Sequence, residues 1–237
     1  DYNMISPGDT VAVGLSGGKD SLALLYTMAA LRRFYPVPFR LIAVTIDMRF
    51  DEIGKSAADF GPIQKLCREL DVEYHIEPSN IAKIVFDIRK ESNPCSLCAK
   101  LRRGMLCDTA KKLGANKIAL GHHFDDAVQT FMLNLFYEGR LGCFSPVTYL
   151  DRSDVTVIRP FIYAQEKDLS YFTSNAELPV VESECPANKK TEREEMKALL
   201  VSLERENKGL RHRIFGAMQK AGIDGYKEAK LKEYDDE

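Results

Sequence analysis

The stretch Thr10–Phe34, TVAVGLSGGKDSLALLYTMAALRRF, decides the fold of this 237-residue chain. Its first part, Thr10–Leu15, is a short apolar run that predicts a buried strand. From Leu22 onward the stretch has the length and apolar spacing of a helix. Between them lies the turn Ser16–Ser21 (SGGKDS), whose two glycines let the backbone bend tightly and approach a ligand without a Cβ clash. This order of elements predicts the opening unit of a parallel sheet.

The turn also predicts a phosphate site. Its backbone N–H groups and the N-terminus of the next helix form a positive cradle, to which Ser16, Lys19 and Ser21 add side-chain donors. It is neither a Walker A loop, because Asp20 follows Lys19, nor a G-x-G-x-x-G loop. A plain glycine turn with an Asp or Ser helix cap is the structural alternative. We expect nucleotide contacts from Gly14, Leu15, Ser16, Gly17, Gly18, Lys19, Asp20 and Ser21.

Strands and helices alternate along the rest of the chain. Further strands are predicted at Phe39–Asp47, Glu73–Glu77, Lys117–Gly121 and Val155–Arg159. Helical spacing occupies residues 57–70, 81–90, 97–113, 124–137, 165–175, 191–207 and 210–221. We therefore predict an α/β fold, with a doubly wound, mostly parallel sheet of about five strands, helices on both faces and a helical C-terminal extension. The tail from Tyr226 is polar, and we expect it to be frayed.

Two more predicted strand ends should lie at the same edge of the sheet, where such folds bind ligands. One is Asp47-Met48 after the second strand, and the other is Gly121–Asp126 (GHHFDD) after the fourth. We expect nucleotide contacts from Asp47, Met48, Gly121, His122 and Asp126. Asp126 can hold Mg²⁺ on the phosphates or orient the reacting group, because hard cations prefer oxygen ligands.

Helix capping is the structural alternative for either Asp125 or Asp126. The adjacent residues His122 and His123 point in different directions, which argues against a zinc site.

The composition restricts the partners and the compartment. The net charge is −2, so a global positive field for nucleic acid is absent. Local basic clusters occur at Lys100–Arg103 and at Lys189–Lys190 with Arg193, and solvated helix faces are the simpler explanation of each. No apolar run is long enough to span a bilayer and no signal-peptide pattern is present, so we expect a cytoplasmic protein without a membrane partner.

Three of the six cysteines lie in contexts typical of metal ligands. Cys95 and Cys98 form a Cys-x-x-Cys pair, and Cys185 precedes a proline far downstream. Thiolates suit iron–sulfur clusters or zinc, but structural zinc normally takes four protein ligands. A redox pair is the alternative, with a persulfide or disulfide at Cys95 and Cys98 that Cys185 resolves. We interpret the other three cysteines as packing residues: Cys67, Cys107 and Cys143.

These motifs resemble a known family. SGGKDS after a strand is the signature loop of the PP-loop ATP pyrophosphatases. GHHxDD, the residues Thr130, Asn134, Phe136 and Gly139, the Cys-x-x-Cys and one distant cysteine are similar to the tRNA-2-thiocytidine biosynthesis family. The resemblance runs from about Val11 to Gly225. It implies a PP-loop catalytic domain, similar to the adenine nucleotide alpha hydrolases, over residues 1–185 and a helical extension packed on it over residues 186–237.

The resemblance also implies an activity, namely ATP-dependent thiolation of tRNA. A cytidine of the anticodon loop would be adenylated on its carbonyl oxygen, and sulfur from a [4Fe-4S] cluster would replace that oxygen. The cofactors implied are ATP, Mg²⁺ and the cluster, whose open iron binds an extra sulfide. Arg102, one helical turn after Cys98, would join the cluster to the phosphates. The implied catalytic residues are Lys19, Asp126 and the three cluster ligands Cys95, Cys98 and Cys185.

The implied partners are tRNA and a sulfur donor such as a cysteine desulfurase, and a homodimer is one possible assembly. In one respect the chain departs from the pattern, because close bacterial relatives often have a second Cys-x-x-Cys around the distal ligand, whereas Cys185 has no partner cysteine nearby. Three alternatives stay open: an amide synthase or sulfurtransferase acting on a small molecule, a persulfide-based thiolase without a cluster, and a non-catalytic nucleotide and redox sensor.

Overall fold

The computed structural model describes residues 1–90, 94–181, 184–186 and 192–228. Its centre is one six-stranded sheet in the order β3-β2-β1-β4-β6-β5. The strands are β1 Thr10–Gly14, β2 Arg40–Asp47, β3 Glu73–Pro78, β4 Lys117–Ala119, β5 Val147–Leu150 and β6 Val155–Ile158. All pairs are parallel except β5 with β6, which are antiparallel. The predicted class is confirmed, with one strand more than expected.

Seven α-helices surround the sheet in the described part of the chain. They are α1 Lys19–Leu31, α2 Gly61–Glu69, α3 Pro94–Lys112, α4 Phe124–Tyr137, α5 Glu166–Asn175, α6 Glu192–Glu206 and α7 Leu210–Lys220. Short 3-10 turns occupy Phe50–Ile53 and Ile223–Gly225. The helix predicted over residues 81–90 is a π-helix at Lys83–Arg89. Helix α3 begins three residues earlier than predicted, which places both cysteines of the Cys-x-x-Cys inside it.

The sheet is buried on both faces, as expected for parallel strands. Alternate residues of β1 and β2 face α1, α2 and α5 on one side, and α3 with the π-helix on the other. Cys67 and Cys107 are buried in these two layers, which confirms their interpretation as packing residues.

A third apolar group joins α4 to the C-terminal helices α6 and α7. Phe124, Met196 and Phe215 are at most 5% exposed within it. Tyr226 is 1% exposed and its ring meets that of Phe215 edge-on, so the expected fraying does not begin at Tyr226. Residues 229–237 of the tail lie outside the described residues. The predicted domain boundary at residue 185 stays a prediction.

The strand order positions the site. β2 and β3 follow β1 to one side, whereas β4 lies against the other side of β1. The loops that leave β1 and β4 therefore diverge, and such a switch point opens a crevice at the carboxyl ends of the strands. The turn Ser16–Ser21 and the loop 120–123 both lie there. None of the described helices is long and apolar enough to cross a bilayer.

Candidate functional site

A cleft of about 540 Å³ opens at this switch point. Its walls come from the phosphate turn, the ends of β2 and β4, the first turns of α3 and α4, and the segment around Cys185. The predicted site residues that line it are Gly14, Leu15, Ser16, Asp20, Ser21, Asp47, Met48, Cys95, Cys98, Arg102, Gly121, His122, Asp126 and Cys185. One concavity thus brings together groups separated by more than 160 positions in the sequence.

The phosphate turn is closed by its own serines. Ser21 Oγ donates to the Gly18 carbonyl at 2.8 Å and accepts from the Ser16 N–H at 3.2 Å. Gly17 has a φ of +83°, and a Cβ at that position would lie 3.1 Å from the Cβ of Val181. Both the conformation and the close packing require glycine there. Gly17 and Gly18 are part of the turn but are not among the residues that line the cleft.

Lys19 lies away from the cleft, unlike the phosphate contact that we predicted. Its Nζ is 2.8 Å from Asp20 and 3.3 Å from Glu166 of α5, and Glu166 also pairs with Lys197 of α6. Burial alone would lower the pKa of Lys19, but the two carboxylates outweigh it and the pKa is raised. A direct role for Lys19 on the phosphates stays a prediction, and it requires the ammonium to leave Glu166.

Gly121 brings the two halves of the site into contact. We expected this glycine to admit the nucleotide, but a Cβ added here would lie 3.0 Å from the carbonyl carbon and oxygen of Asp20. The space beside the Gly121 Cα is thus occupied by the backbone of the phosphate turn. Gly121 still lines the cleft, and its lack of a side chain allows the β4 loop to pack directly on the turn.

Asp126 faces the cleft from the first turn of α4. Its Oδ2 accepts from the His123 backbone N–H at 3.1 Å, and His123 Nδ1 accepts from the Asp126 N–H at 3.4 Å. This reciprocal pair is a capping box, with His123 in the place usually held by Ser or Thr. Arg193 of α6 donates to Asp126 Oδ1 at 2.8 Å. The capping alternative therefore holds for Asp126, without removing it from the cleft wall.

The neighbouring Asp125 has a structural role. It is 4% exposed, accepts from Arg211 of α7 at 2.6 Å and accepts from the Glu166 N–H at 2.7 Å. Its carboxylate therefore joins α4 to α5 and α7 beneath the site, as a buried and hydrogen-bonded charge pair does.

His122 is an uncharged wall of the cleft. Its Nδ1 is buried and has no hydrogen-bond partner among the described residues, and its ring lies 5.0 Å from that of Phe144. Burial, followed by the charges of Arg159 and Arg193, lowers the pKa of His122 from 6.5 to about 3. The imidazole therefore stays neutral at any physiological pH.

The buried imidazole predicts a pH-dependent stability. We expect the unfolding free energy to fall as the pH drops below 6.5 toward about 3, since only the unfolded chain binds the proton in that window. The slope from this one group approaches about 1.4 kcal/mol per pH unit. Urea unfolding at a series of pH values measures it. The His122→Gln variant should lose this slope and the exposed His212→Gln variant should keep it, and an unchanged slope in His122→Gln would contradict the prediction.

Asp47 ends β2 at the opposite wall. Its Oδ1 accepts from the Arg49 N–H at 2.9 Å, and its carbonyl oxygen accepts from Ser79 Oγ at 2.8 Å. Next to it the cleft is apolar and aromatic, formed by Met48 with Phe50 and Phe60. The sequence analysis did not identify the two phenylalanines, because they lie in an irregular connection between β2 and α2 that matches no motif.

The Cys-x-x-Cys lies in the first turns of α3. Pro94 begins the helix, a position where proline is tolerated because its missing N–H would have no partner. Cys95 and Cys98 are i and i+3, and Arg102 follows one turn later, so all three share the side that borders the cleft. Burial raises the pKa of the Cys98 thiol, the charge of Arg102 opposes this, and the nearby Cys185 and Cys95 add to it.

The donor set fits an iron–sulfur cluster. All six cysteines are thiols rather than disulfides, and three of them line one cleft. Among the described residues, no three His, Cys, Asp or Glu side chains converge as ligands of a single metal ion. A four-iron cluster spaces its cysteine sulfurs more widely than a single zinc ion, whose ligands all lie within about 2.3 Å of it. Three thiols that line one cleft match a cluster with one iron left open, whereas structural zinc normally takes four protein ligands.

Cys143, which we interpreted as a packing residue, lies outside this group. Its Sγ is 3.4 Å from the Ala127 carbonyl oxygen and 3.6 Å from the Tyr226 hydroxyl oxygen, within the third apolar group.

Carboxylates suited to Mg²⁺ are also present. Asp20 and Asp126 both line the cleft beside the phosphate turn. Mg²⁺ at nucleotide sites is commonly held by one or two carboxylates together with the substrate phosphates, and it does not need a complete protein cage. These two residues therefore fit the requirement.

A parallel sheet with this phosphate turn at its switch point defines a nucleotide-binding enzyme of the PP-loop class. Residues 2–203 match the PP-loop domain family, ATP_bind_3. The chain is 39% identical over 221 residues to the tRNA-cytidine(32) 2-sulfurtransferase of Geobacter sulfurreducens, which covers 92% of this chain and 84% of the relative. It is 40% identical over 210 residues to the enzyme of the same name from Citrifermentans bemidjiense, over 87% of this chain and 80% of the relative.

The chain belongs to the family of the tRNA-cytidine(32) 2-sulfurtransferases, within the PP-loop enzymes. A solved structure supports the assignment: the U34-tRNA thiolase NcsA from Methanococcus maripaludis with its [4Fe-4S] cluster. It has a TM-score of 0.73 to this chain at 26% identity, over 93% of this chain and 74% of that one. The resemblance inferred from the motifs is thereby confirmed.

Proposed function

We propose that this protein uses ATP to replace the carbonyl oxygen of a tRNA cytidine with sulfur, giving 2-thiocytidine. The relatives named as tRNA-cytidine(32) 2-sulfurtransferases support the substrate, and they point to an anticodon-loop position. The observation that carries the proposal is that a single cleft is lined by the phosphate turn, by Asp126 and by three cysteines. A site that only binds nucleotide does not account for the three cysteines, and a site that only binds a metal does not account for the phosphate turn.

The first half of the reaction is an adenylation. The turn Ser16–Ser21 holds the triphosphate with its backbone N–H groups, and the apolar wall at Met48 and Phe50 receives the adenosine. The carbonyl oxygen of the cytidine attacks the α-phosphorus, and pyrophosphate leaves. Asp20 and Asp126 would hold the Mg²⁺ that neutralises charge on the phosphates, since phosphoryl transfer depends on positioning and charge neutralisation.

The second half is the sulfur transfer. Cys95, Cys98 and Cys185 would hold a [4Fe-4S] cluster, which would supply sulfur for the transfer. Arg102 lines the same cleft one helical turn after Cys98, and its guanidinium can stabilise the negative charge of the leaving AMP. Sulfur forms a bond to carbon 2, the adenylated oxygen leaves with AMP, and the base is released as the thiocarbonyl.

The base must leave its stack to enter the cleft, which is easiest in a single-stranded loop of RNA. Lys100 and Arg103 are exposed on α3 beside the cysteines and can contact the RNA backbone. The predicted basic pair Lys189–Lys190 lies outside the described residues. The sulfur donor, a dimeric assembly and a cytoplasmic location stay predictions.

The persulfide alternative is less well supported. Persulfide chemistry needs a reactive thiolate, and burial raises the pKa of the Cys98 thiol, which disfavours that form. Cluster ligation, in contrast, would provide the positive charge that deprotonates a buried thiol.

The experiment is a single-turnover assay under anaerobic conditions. Reconstituted protein, ATP, sulfide and a tRNA transcript with an anticodon-loop cytidine are combined, and AMP, pyrophosphate and 2-thiocytidine are quantified. We expect the three products in equal amounts, and about four irons per chain. Thiolation by iron-free protein would favour the persulfide route. Pyrophosphate release without any effect of tRNA would point to a small-molecule substrate, and ATP binding without turnover would point to a sensor.

A further inference from the structure

We infer that Arg193 is a positioning residue, which orients the Asp126 carboxylate toward the nucleotide from the helix that follows the third cysteine. The inference deepens the proposed function and rests on it for the role of Asp126. It begins from a contact that no motif predicted. From the sequence, Arg193 stood out only as part of a basic cluster with Lys189 and Lys190.

Arg193 makes a forked contact with α4. Its Nη1 donates to Asp126 Oδ1 at 2.8 Å, and its Nη2 donates to Thr130 Oγ1 at 3.1 Å. Asp126 and Thr130 are i and i+4 on one helix, so they form a rigid pair of acceptors one turn apart. A planar guanidinium can span such a pair with both arms, whereas a lysine ammonium cannot hold the same geometry.

The fork completes the orientation of Asp126. Oδ2 is already held by the His123 N–H, and Arg193 holds Oδ1. With both oxygens held, the plane of the carboxylate is set on a residue that lines the cleft. With Oδ1 released, only His123 would hold the carboxylate, through its backbone N–H at 3.1 Å and its Nε2 at 3.4 Å from Oδ2. Charge-assisted bonds of this kind orient the groups that ligate a metal.

The contact is suited to orientation rather than to stability. The side chain of Arg193 is 42% exposed and that of Asp126 is 19% exposed. Partly exposed ion pairs contribute little to folding. A role in positioning therefore predicts a large functional effect with a small change in thermal midpoint. A structural role would predict the opposite, a large change in thermal midpoint.

Arg193 follows the third cysteine closely in the chain. It is the second residue of α6, eight positions after Cys185, and both residues are tied to the same cleft. The acid that serves ATP is thus held by the segment that brings the third cysteine. Nucleotide activation and sulfur delivery would share this one link.

The test measures metal-dependent ATP binding by calorimetry on protein without a cluster, so it requires neither tRNA nor sulfur transfer. For Arg193→Ala we expect the Mg²⁺ concentration at half-saturation to rise by about tenfold, within the range for residues that orient metal ligands. ATP binding without Mg²⁺ should not change. Arg193→Lys should restore only part of the effect, and Thr130→Val should show a smaller shift in the same direction.

A second arm uses non-additivity. If Arg193 acts through Asp126, the Asp126→Asn,Arg193→Ala double variant should have the same Mg²⁺ dependence as Asp126→Asn alone. Arg205→Ala is the matched control, because it removes an exposed arginine from the same helix. Additive effects, or wild-type Mg²⁺ dependence in Arg193→Ala, would overturn the inference. A wild-type protein that binds Mg²⁺ and ATP with this dependence but does not thiolate tRNA would refute only the proposed function.

Discussion

Replacing Cys185 with alanine is expected to remove the iron from the reconstituted protein and to abolish thiolation, while ATP still binds. A three-cysteine set has no ligand to spare, because the fourth position must stay open for sulfur. Removing one thiolate leaves two protein ligands, which cannot retain the cluster. Cys185 lines the cleft but is not part of the turn Ser16–Ser21, so the cradle for the triphosphate is expected to stay intact. Iron analysis, calorimetry with ATP and a 2-thiocytidine assay measure the three properties.

The matched control is Cys67→Ala. Cys67 is buried in the layer between the sheet and α2, far from the cleft. It should lose some stability, as a small cavity in a core does, and keep its iron and its activity. Full thiolation by Cys185→Ala would refute the cluster-based mechanism. Iron loss with thiolation retained would show that Cys185 holds the iron but that sulfur transfer does not need it.

The Asp126→Asn variant is expected to release pyrophosphate about 10²–10³-fold more slowly than the wild type, the cost typical of losing one electrostatic group at a reacting centre. Asparagine preserves the shape of the side chain and can still accept from the His123 N–H, so the capping of α4 should survive. The variant loses the negative charge that would hold Mg²⁺ on the phosphates. The measurement is the rate of pyrophosphate release at saturating ATP, with thermal unfolding as the check on folding.

The control for Asp126 is Asp168→Asn. Asp168 is an exposed acid in the first turn of α5, so it has the same relation to a helix N-terminus as Asp126 without facing the cleft. Its variant should keep the wild-type rate. A wild-type rate in Asp126→Asn would mean that the acid serves only to cap α4, and the proposed Mg²⁺ site would then have to rely on Asp20.

The elements that form the cleft were predictable because their signals are local. SGGKDS and GHHFDD each lie within one strand–turn–helix unit, where residue type and spacing determine the turn. The alternation of strands and helices then placed both at one edge of a parallel sheet. Strand β5 was not predicted. Its four residues are only partly buried and show no periodic pattern, and a short turn connects it to β6, with which it pairs.

Partners between distant elements were not predictable. Lys19 pairs with Glu166, 147 positions away, and Asp126 pairs with Arg193, 67 positions away. Periodicity identifies which face of a helix is buried, but it does not identify the side chain that the face meets. Both basic residues were therefore interpreted from their type alone, Lys19 as a phosphate ligand and Arg193 as part of a basic cluster. Gly121 was likewise identified as a point of close approach, but the approaching group was the protein backbone.

The contact at Gly121 has a consequence for how the two halves of the nucleotide site are joined. Because even a methyl group would meet the backbone of Asp20 at 3.0 Å, the phosphate turn and the acid-bearing loop form one block that cannot slide internally. The part of the cleft that would bind the nucleotide is therefore held together by direct backbone packing. The opposite side of the cleft, formed by the start of α3 and the Cys185 segment, takes no part in this contact.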